Sequence, residues 1–102
     1  MSSLAFADVR RSDRDEVHYR ARAFGPDARL HEFVVVNLSP HGLMARCERT
    51  FEVGDRVRIQ LPVGVVVAEI RWSLGGRLGA QFETAIDLAS YYELIATLVR
   101  GR

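Results

Sequence analysis

Apolar and polar positions alternate along the first ordered-looking stretch of the chain. Val17, Tyr19, Ala21 and Ala23 alternate with polar residues over residues 16–24. Because successive side chains of a strand point to opposite faces, this alternation predicts a half-buried strand. Further strand-like runs cover residues 30–38, 43–47, 57–61, 65–72 and 78–83. Short strands at such even spacing predict a mainly β domain, a six-stranded antiparallel β-barrel.

Turn-forming residues separate these runs. Gly, Pro, Asn, Asp and Ser are common in turns because each favours a tight backbone conformation or bonds to its own backbone. They occur here as Gly25-Pro26-Asp27, Ser39-Pro40-His41-Gly42, Gly54-Asp55, Pro62-Val63-Gly64 and Gly75-Gly76. The last of these pairs is expected to close a hairpin.

The apolar period changes from strand to helix near the end of the chain. Spacings of three and four residues there predict one packed helical stripe, with Leu94 beside it; its members are Leu88, Tyr91, Tyr92, Ile95, Leu98 and Val99. Asp87 is expected to cap the helix, and Gly101 to end it. The helix would cover one opening of the barrel.

Length and composition limit the class of protein. The 102 residues fit one domain, which we expect to span residues 9–102 after a flexible leader at residues 1–8. The net charge of +1 provides no global field for nucleic acid or a membrane. Cys47 is the only cysteine, and no apolar run approaches the ~18 residues of a membrane span. No signal peptide is visible, so a cytoplasmic protein without direct membrane insertion is expected.

Arginines precede the first strand at a regular spacing. Arg10 and Arg14 are four residues apart, and Arg11 lies between them as a secondary candidate. Each guanidinium group can form paired hydrogen bonds with phosphate oxygens or with the O6/N7 edge of guanine. Arginine is common in this chain, which has no lysine, so this spacing alone is weakly specific.

A second motif follows at the end of the next strand. Asn37, Ser39 and Gly42 offer an amide, a hydroxyl and a residue that lets the backbone turn sharply or approach a ligand. His41 lies in the same turn and is a secondary candidate by position. The same residues would also form an ordinary turn, and the two interpretations are compatible because a rigid turn can hold a ligand.

Read together, RxxxR followed by [DN]xSxxG resembles the cyclic di-GMP-binding signature of PilZ domains, a family of bacterial second-messenger receptors. The resemblance continues through residues 51–61 and 69–82 and covers most of the chain. Asn37 stands where many members have Asp, and both occur in the family pattern. The resemblance implies a barrel that binds cyclic di-GMP, without a cofactor, through Arg10, Arg14, Asn37, Ser39 and Gly42.

The implied function is a receptor or adaptor, not an enzyme. It would relay the second-messenger level to a downstream protein that the sequence does not identify. Bound ligand is expected to draw the arginine-bearing leader onto the barrel. The oligomeric state is open.

Two alternatives are a PilZ-fold interaction module that does not bind nucleotide and a small barrel that binds nucleic acid. The second would need an exposed aromatic platform and a basic groove. Trp72 is instead expected in the core, and Tyr91 and Tyr92 on the packed helix face.

Other reactive side chains do not form a recognisable site. His18, His31 and His41 match no common metal-ligand spacing, so no metal is expected. Cys47 is expected to be a small core residue, because nothing pairs a base with it. No acid–base or nucleophile arrangement is visible.

Overall fold

The computed structural model describes residues 14–100 as six strands followed by one helix. The elements are β1 (Asp15–Phe24), β2 (Leu30–Ser39), β3 (Gly42–Arg46), β4 (Arg56–Leu61), β5 (Gly64–Leu74), β6 (Arg77–Phe82) and α1 (Leu88–Arg100). Each expected strand is present, with ends shifted by at most two residues. The expected leader, Arg10, Arg11 and Gly101 lie outside the described residues, so the domain boundaries stay a prediction.

The strands form a closed barrel in the order β1-β2-β3-β6-β5-β4. All neighbouring pairs are antiparallel, and β1 closes the barrel by pairing with β4 through Arg22↔Gln60 and Phe24↔Arg58. Gly75 and Gly76 join β5 to β6 with φ values of 62° and 79°, a conformation that suits glycine. The expected mainly β barrel with a C-terminal helix is therefore confirmed.

The inward side chains form one apolar core. Its largest fully buried members include Phe33, Leu38, Ile59, Ile70 and Leu78, and no described polar or charged residue is buried. Cys47 also belongs to this core, as expected. Burial raises the pKa of its thiol, because the charged thiolate is poorly solvated there.

Two β-bulges reverse which face of a strand points outward. Against β3, Val35↔Ala45 is followed by Asn37↔Met44, so Val36 is the extra residue. Against β6, Ile70↔Ala80 is followed by Trp72↔Gly79. Each extra residue shifts the alternation by one position beyond it.

The bulge in β5 corrects the expectation for Trp72. Continued alternation from Ala68 and Ile70, both fully buried, would have placed Trp72 inside the barrel. Because Arg71 is unpaired in the register with β6, Trp72 turns outward and is 40% exposed. Trp72 is therefore a surface residue and not part of the core.

The helix packs on a narrower face than the sequence indicated. Tyr91, Leu94 and Leu98 are buried, whereas Leu88, Tyr92 and Val99 are more than half exposed. Leu94, expected beside the stripe, is fully buried, so this part of the prediction was wrong. Both sets of residues follow helical spacing. The contacts of Tyr91 with the barrel determine which set is buried.

The expected N-terminal cap of the helix is confirmed. The Asp87 carboxylate accepts hydrogen bonds from the Ser90 backbone N–H at 2.9 Å and the Ser90 hydroxyl at 3.0 Å. The backbone bond is the main reason that the pKa of Asp87 lies below its usual value. A capping carboxylate satisfies an N–H group that otherwise has no partner in the first turn.

The burial of α1 predicts a sharp difference between two truncations. Leu94→Ala should lower the free energy of unfolding by about 2–5 kcal/mol, because it leaves a cavity under the helix. Val99→Ala should change it by no more than about 0.5 kcal/mol, because that side chain is exposed. Urea unfolding of both variants measures the difference. Equal losses would contradict this packing.

Candidate functional site

A cleft of about 260 Å³ lies on the outer wall of the barrel, across β2, β3, β6 and β5. It contains every sequence-predicted candidate that the structure describes: Arg14, Asn37, Ser39, His41 and Gly42. It also contains side chains that the sequence did not single out, namely Met44, Arg71, Trp72 and Gln81. Arg14 of the first motif and the residues of the second therefore meet at one surface.

The strand register arranges the cleft in two parallel rows. Asn37, Met44, Gly79 and Trp72 are successive cross-strand neighbours and form the first row. Ser39, Gly42 and Gln81 form the second. Cross-strand neighbours on one face lie close enough for their side chains to interact. A ligand on this wall would therefore contact four strands at once.

The turn after β2 is held by its own hydrogen bonds. The Ser39 hydroxyl oxygen accepts a hydrogen bond from the His41 backbone N–H at 3.2 Å. The carbonyls of Pro40 and His41 accept hydrogen bonds from Ile86 and Phe82, each at 2.8 Å. The expected turn is present, and its bonds to β6 and the segment before α1 fix the position of Ser39.

Asn37 keeps its side-chain amide available. Its side chain makes no hydrogen bond with any residue in the described range 14–100, and the residue is half-buried. A half-buried amide with one donor group and one acceptor can form hydrogen bonds with a ligand that covers it.

Gly42 has a structural role that the sequence did not indicate. It is absent from the residues with positive φ, so its backbone conformation alone does not require glycine. Instead, a Cβ atom here would lie 2.4 Å from the Ala80 carbonyl oxygen and 3.2 Å from the Gln81 Cα. Gly42 therefore allows β3 and β6 to approach closely at the edge of the cleft.

Trp72 lies over a glycine of the neighbouring strand. A Cβ atom on Gly79 would lie 2.2 Å from Trp72 Nε1, 2.7 Å from Cε2 and 2.9 Å from Cδ1. The pyrrole part of the indole thus occupies the space that any larger residue at position 79 would fill. Beside it, Arg71 Nη1 donates a hydrogen bond to Gln81 Oε1 at 3.0 Å. That bond fixes the direction of an exposed guanidinium group.

Arg14 enters the cleft from the residue before β1. The next residue, Asp15, accepts a hydrogen bond from the Tyr91 hydroxyl at 2.5 Å. The same hydroxyl lies 2.9 Å from the Leu38 carbonyl oxygen, between Asn37 and Ser39 in the chain. Tyr91 therefore joins the backbone next to Arg14 with the backbone that carries the second motif. Arg10 and Arg11 lie outside the described residues.

The remaining candidates do not form a second site. His31 packs edge-on against Phe51 and lies 3.5 Å from Asp27, and His18 is exposed on β1. Over residues 14–100, no group of three or more His, Cys, Asp or Glu could hold a metal ion. A larger depression of about 670 Å³ lies beside Phe24 and Arg58 but contains none of the motif residues. The side chains that line the smaller cleft, and not its volume, identify it as the candidate site.

The sequence did not indicate Arg71, Trp72 or Gln81 as site residues. Residues 69–72 read as an ordinary alternating strand, and no residue there marks a bulge. The only usable signal was Gly79, because an isolated glycine inside a strand often marks a bulge or a close approach.

Comparison with known proteins assigns the family. The sequence pattern of the PilZ domain matches residues 8–101, and the chain therefore belongs to the PilZ domain family. No curated protein matches the chain. A similar solved structure is that of the PilZ domain of CeSA from a cellulose-synthesizing bacterium, with a TM-score of 0.60 and 17% identity. The match covers 85% of this chain and 95% of that chain, and at this identity it supports the fold.

Membership of this family confirms the resemblance seen in the sequence. PilZ domains are generally binding domains for cyclic di-GMP and adaptors, without catalytic activity. None of the described helices is long and apolar enough to cross a membrane.

The close approach at Gly42 predicts a loss of stability on substitution. Gly42→Ala should cost about 1–3 kcal/mol, because the added methyl group meets backbone atoms of β6, which cannot rotate away. Ser39→Ala should cost less, about 0.5–1.5 kcal/mol, because it removes only the hydrogen bond within the turn. Urea unfolding compares the two variants. Parent-like stability of Gly42→Ala would exclude the close-approach explanation.

Proposed function

We propose that this domain is a cyclic di-GMP receptor that relays the level of the second messenger to a partner protein. The observation that carries this proposal is the meeting of Arg14, Asn37, Ser39 and Gly42 in one cleft of a PilZ domain. Arg14 precedes β1, whereas the other three lie around the turn between β2 and β3, and a structural role does not require Arg14 to share a surface with them.

The chemistry of the cleft suits a cyclic guanine dinucleotide. Such a ligand has two phosphate groups, each negatively charged, and two guanines with O6/N7 acceptor edges. Arg14 and Arg71 supply guanidinium groups that can bond to either kind of acceptor. The Asn37 amide can bond to the polar edge of a base, since it makes no competing hydrogen bond among the described residues.

Ser39 can contribute its proton as well as its position. Its oxygen accepts the His41 N–H, while the hydroxyl lies at a long 3.5 Å from the Gly42 carbonyl. A better acceptor, such as a phosphate oxygen, would compete well for that proton, because bonds to charged groups are shorter and stronger. His41 is exposed at the rim and is a secondary contact in this proposal.

The size of the cleft indicates that the wall alone does not enclose the ligand. About 260 Å³ lies below the ~300–1,000 Å³ of ordinary ligand pockets. Arg10 precedes Arg14 by four residues, a span of at most about 14 Å of extended chain. That reach allows Arg10, with Arg11 as a secondary candidate, to contact a ligand that Arg14 also touches.

The alternative is a PilZ-fold interaction module that does not bind nucleotide. The exposed side chains of Leu88, Tyr92 and Val99 fit that class, because grouped apolar surface is common where proteins interact. Nucleic acid is less well supported. Although Trp72 is exposed, a strand-binding groove presents several aromatic side chains in sequence, and the described lining of this cleft includes one tryptophan and no tyrosine or phenylalanine.

Calorimetric titration with cyclic di-GMP tests the proposal and predicts the effect of one arginine. Arg14→Ala should weaken binding about ten-fold or more, equivalent to about 1.4 kcal/mol, because a charge-assisted contact is lost. Arg14→Lys should also weaken it, because an ammonium group lacks the planar fork. Arg29→Ala is the matched control, since it removes an exposed arginine outside the cleft.

GTP and cyclic di-AMP serve as ligand controls. The absence of binding to cyclic di-GMP by the parent protein would favour the interaction module. Binding that Arg14→Ala leaves intact would keep the receptor assignment and exclude Arg14 as a contact.

A further inference from the structure

We propose that a partner protein docks through an acidic, partly apolar segment on a row of outward side chains beside the cleft, and that bound cyclic di-GMP weakens this docking. The arginine row consists of Val34, Arg46, Arg77 and Leu74, which are successive cross-strand neighbours on β2, β3, β6 and β5. The docking itself does not require nucleotide, whereas its weakening rests on the proposed receptor function.

Two arginines lie directly opposite each other at the centre of the arginine row. Arg46 of β3 pairs with Arg77 of β6 in the strand register, and both residues are exposed. Like charges in directly opposite positions of a sheet are destabilising. Within residues 14–100, neither guanidinium group has a carboxylate within ion-pair distance. The fold therefore presents two neighbouring positive charges that no described acidic side chain neutralises.

The carboxylates beside the row do not supply that neutralising charge. Glu32 and Glu48 line a depression of about 560 Å³ next to Arg46. Glu32 pairs instead with Arg20 at 3.7 Å, and Glu48 forms no ion pair among the described residues. Carboxylates of a partner would complement the two arginines, whereas these glutamates would repel a continuous phosphate backbone. An acidic protein segment therefore fits the surface better than nucleic acid.

Apolar side chains flank the two charges. Leu74 is 79% exposed at one end of the row, and Val34 is half-buried at the other. The next residues after Leu74 are Gly75 and Gly76, where even an added Cβ atom would meet nothing within 4 Å, so the leucine is accessible. A single exposed leucine is ordinary, but one beside these arginines offers both apolar and charged contacts. The occupant is therefore a segment that combines acidic and apolar side chains.

The arginine row lies next to the row of the cleft that contains Met44 and Gly79. Arg46 follows Met44 by two residues on β3, and Arg77 precedes Gly79 by two on β6, a distance of about 7 Å along each strand. This distance is shorter than the ~8 Å over which physiological salt screens charges. A ligand with two phosphate charges in the cleft would therefore reduce the attraction between the arginine row and an acidic segment.

Removal of one arginine tests whether the pair opposes stability. Arg46→Gln and Arg77→Gln should each raise the urea midpoint at low salt, because the repulsion is lost, and added salt should reduce the gain. Arg58→Gln is the matched control, because Arg58 faces Phe24 and Val67 on the neighbouring strands and not another arginine. A lower midpoint in both variants would give the pair a structural role and overturn the inference.

A short peptide of alternating Glu and Leu residues is the probe for the partner segment. In NMR titrations of the isotope-labelled protein, the peptide should shift the amide signals of Arg46, Leu74 and Arg77 and leave that of Arg58 unchanged. Arg46→Gln and Arg77→Gln should each weaken peptide binding about three-fold or more, and so should Gln in place of Glu in the peptide. The absence of localised shifts would overturn the docking surface. Binding to phosphatidylserine vesicles without binding to the peptide would assign the row to a membrane and also overturn it.

The two proposals fail in different ways. Saturating cyclic di-GMP should weaken peptide binding by the parent protein, and an unchanged affinity would overturn the coupling. If the parent binds the peptide but no cyclic di-GMP, the receptor function and the coupling are wrong, and the docking surface stands. If it binds cyclic di-GMP but no peptide, the receptor function stands and this inference is wrong.

Calorimetry with cyclic di-GMP separates the arginine row from the ligand site. Arg46→Gln and Arg77→Gln should keep the parent's affinity for cyclic di-GMP, because neither residue lines the cleft. Equal losses of affinity for cyclic di-GMP and for the peptide would place the pair in the ligand site and overturn the docking surface.

Discussion

The hydroxyl group of Tyr91 is the contact on which the arrangement of this domain depends. It reaches from α1 to the Asp15 carboxylate at the start of β1 and to the Leu38 carbonyl at the end of β2. Its single proton is shared between two acceptors in a largely buried position, where an unsatisfied polar group would be costly. This contact sets the rotation of the helix and also fixes the backbone on each side of the cleft. The packing of α1 and the geometry of the site are therefore not independent.

The β-bulges in β2 and β5 place an amide and an indole on the outer wall of the barrel. Without the extra residue in β2, Asn37 would continue the inward series of Phe33 and Val35 and would bury an amide in an apolar core. In the same way, the extra residue in β5 turns Trp72 outward, where regular alternation would have buried it. A closed barrel has no free strand edge for a ligand to pair with, so recognition on the wall depends on outward side chains. The irregular pairing at the two bulges therefore provides the outward side chains of Asn37 and Trp72.

Sequence patterns predicted the strands and helix well, because burial of one face leaves a clear alternation or helical period. They failed where two periods were equally regular or where the pairing slipped. The helical spacing of Leu88 and Tyr92 is as good as that of Tyr91 and Leu94, and only contact with the barrel distinguishes them. Gly42 was expected on chemical grounds, but its close approach to Ala80 depends on a strand that lies 38 residues later in the sequence. Such long-range geometry leaves no local signal.

The position of the cleft constrains how any ligand can be held there. Its floor is the outer wall of a closed barrel, so the groups below the ligand are fixed by strand register and by the turn bonds of Ser39. Because the wall consists of strands paired all round a closed barrel, it has little freedom to close over a bound molecule. Cover must therefore come from outside the barrel, and Arg14 is the described residue at which the chain enters the cleft from there. In the proposed receptor, the wall therefore presents the chemical groups that recognise the ligand, and any further enclosure depends on groups that the barrel does not supply.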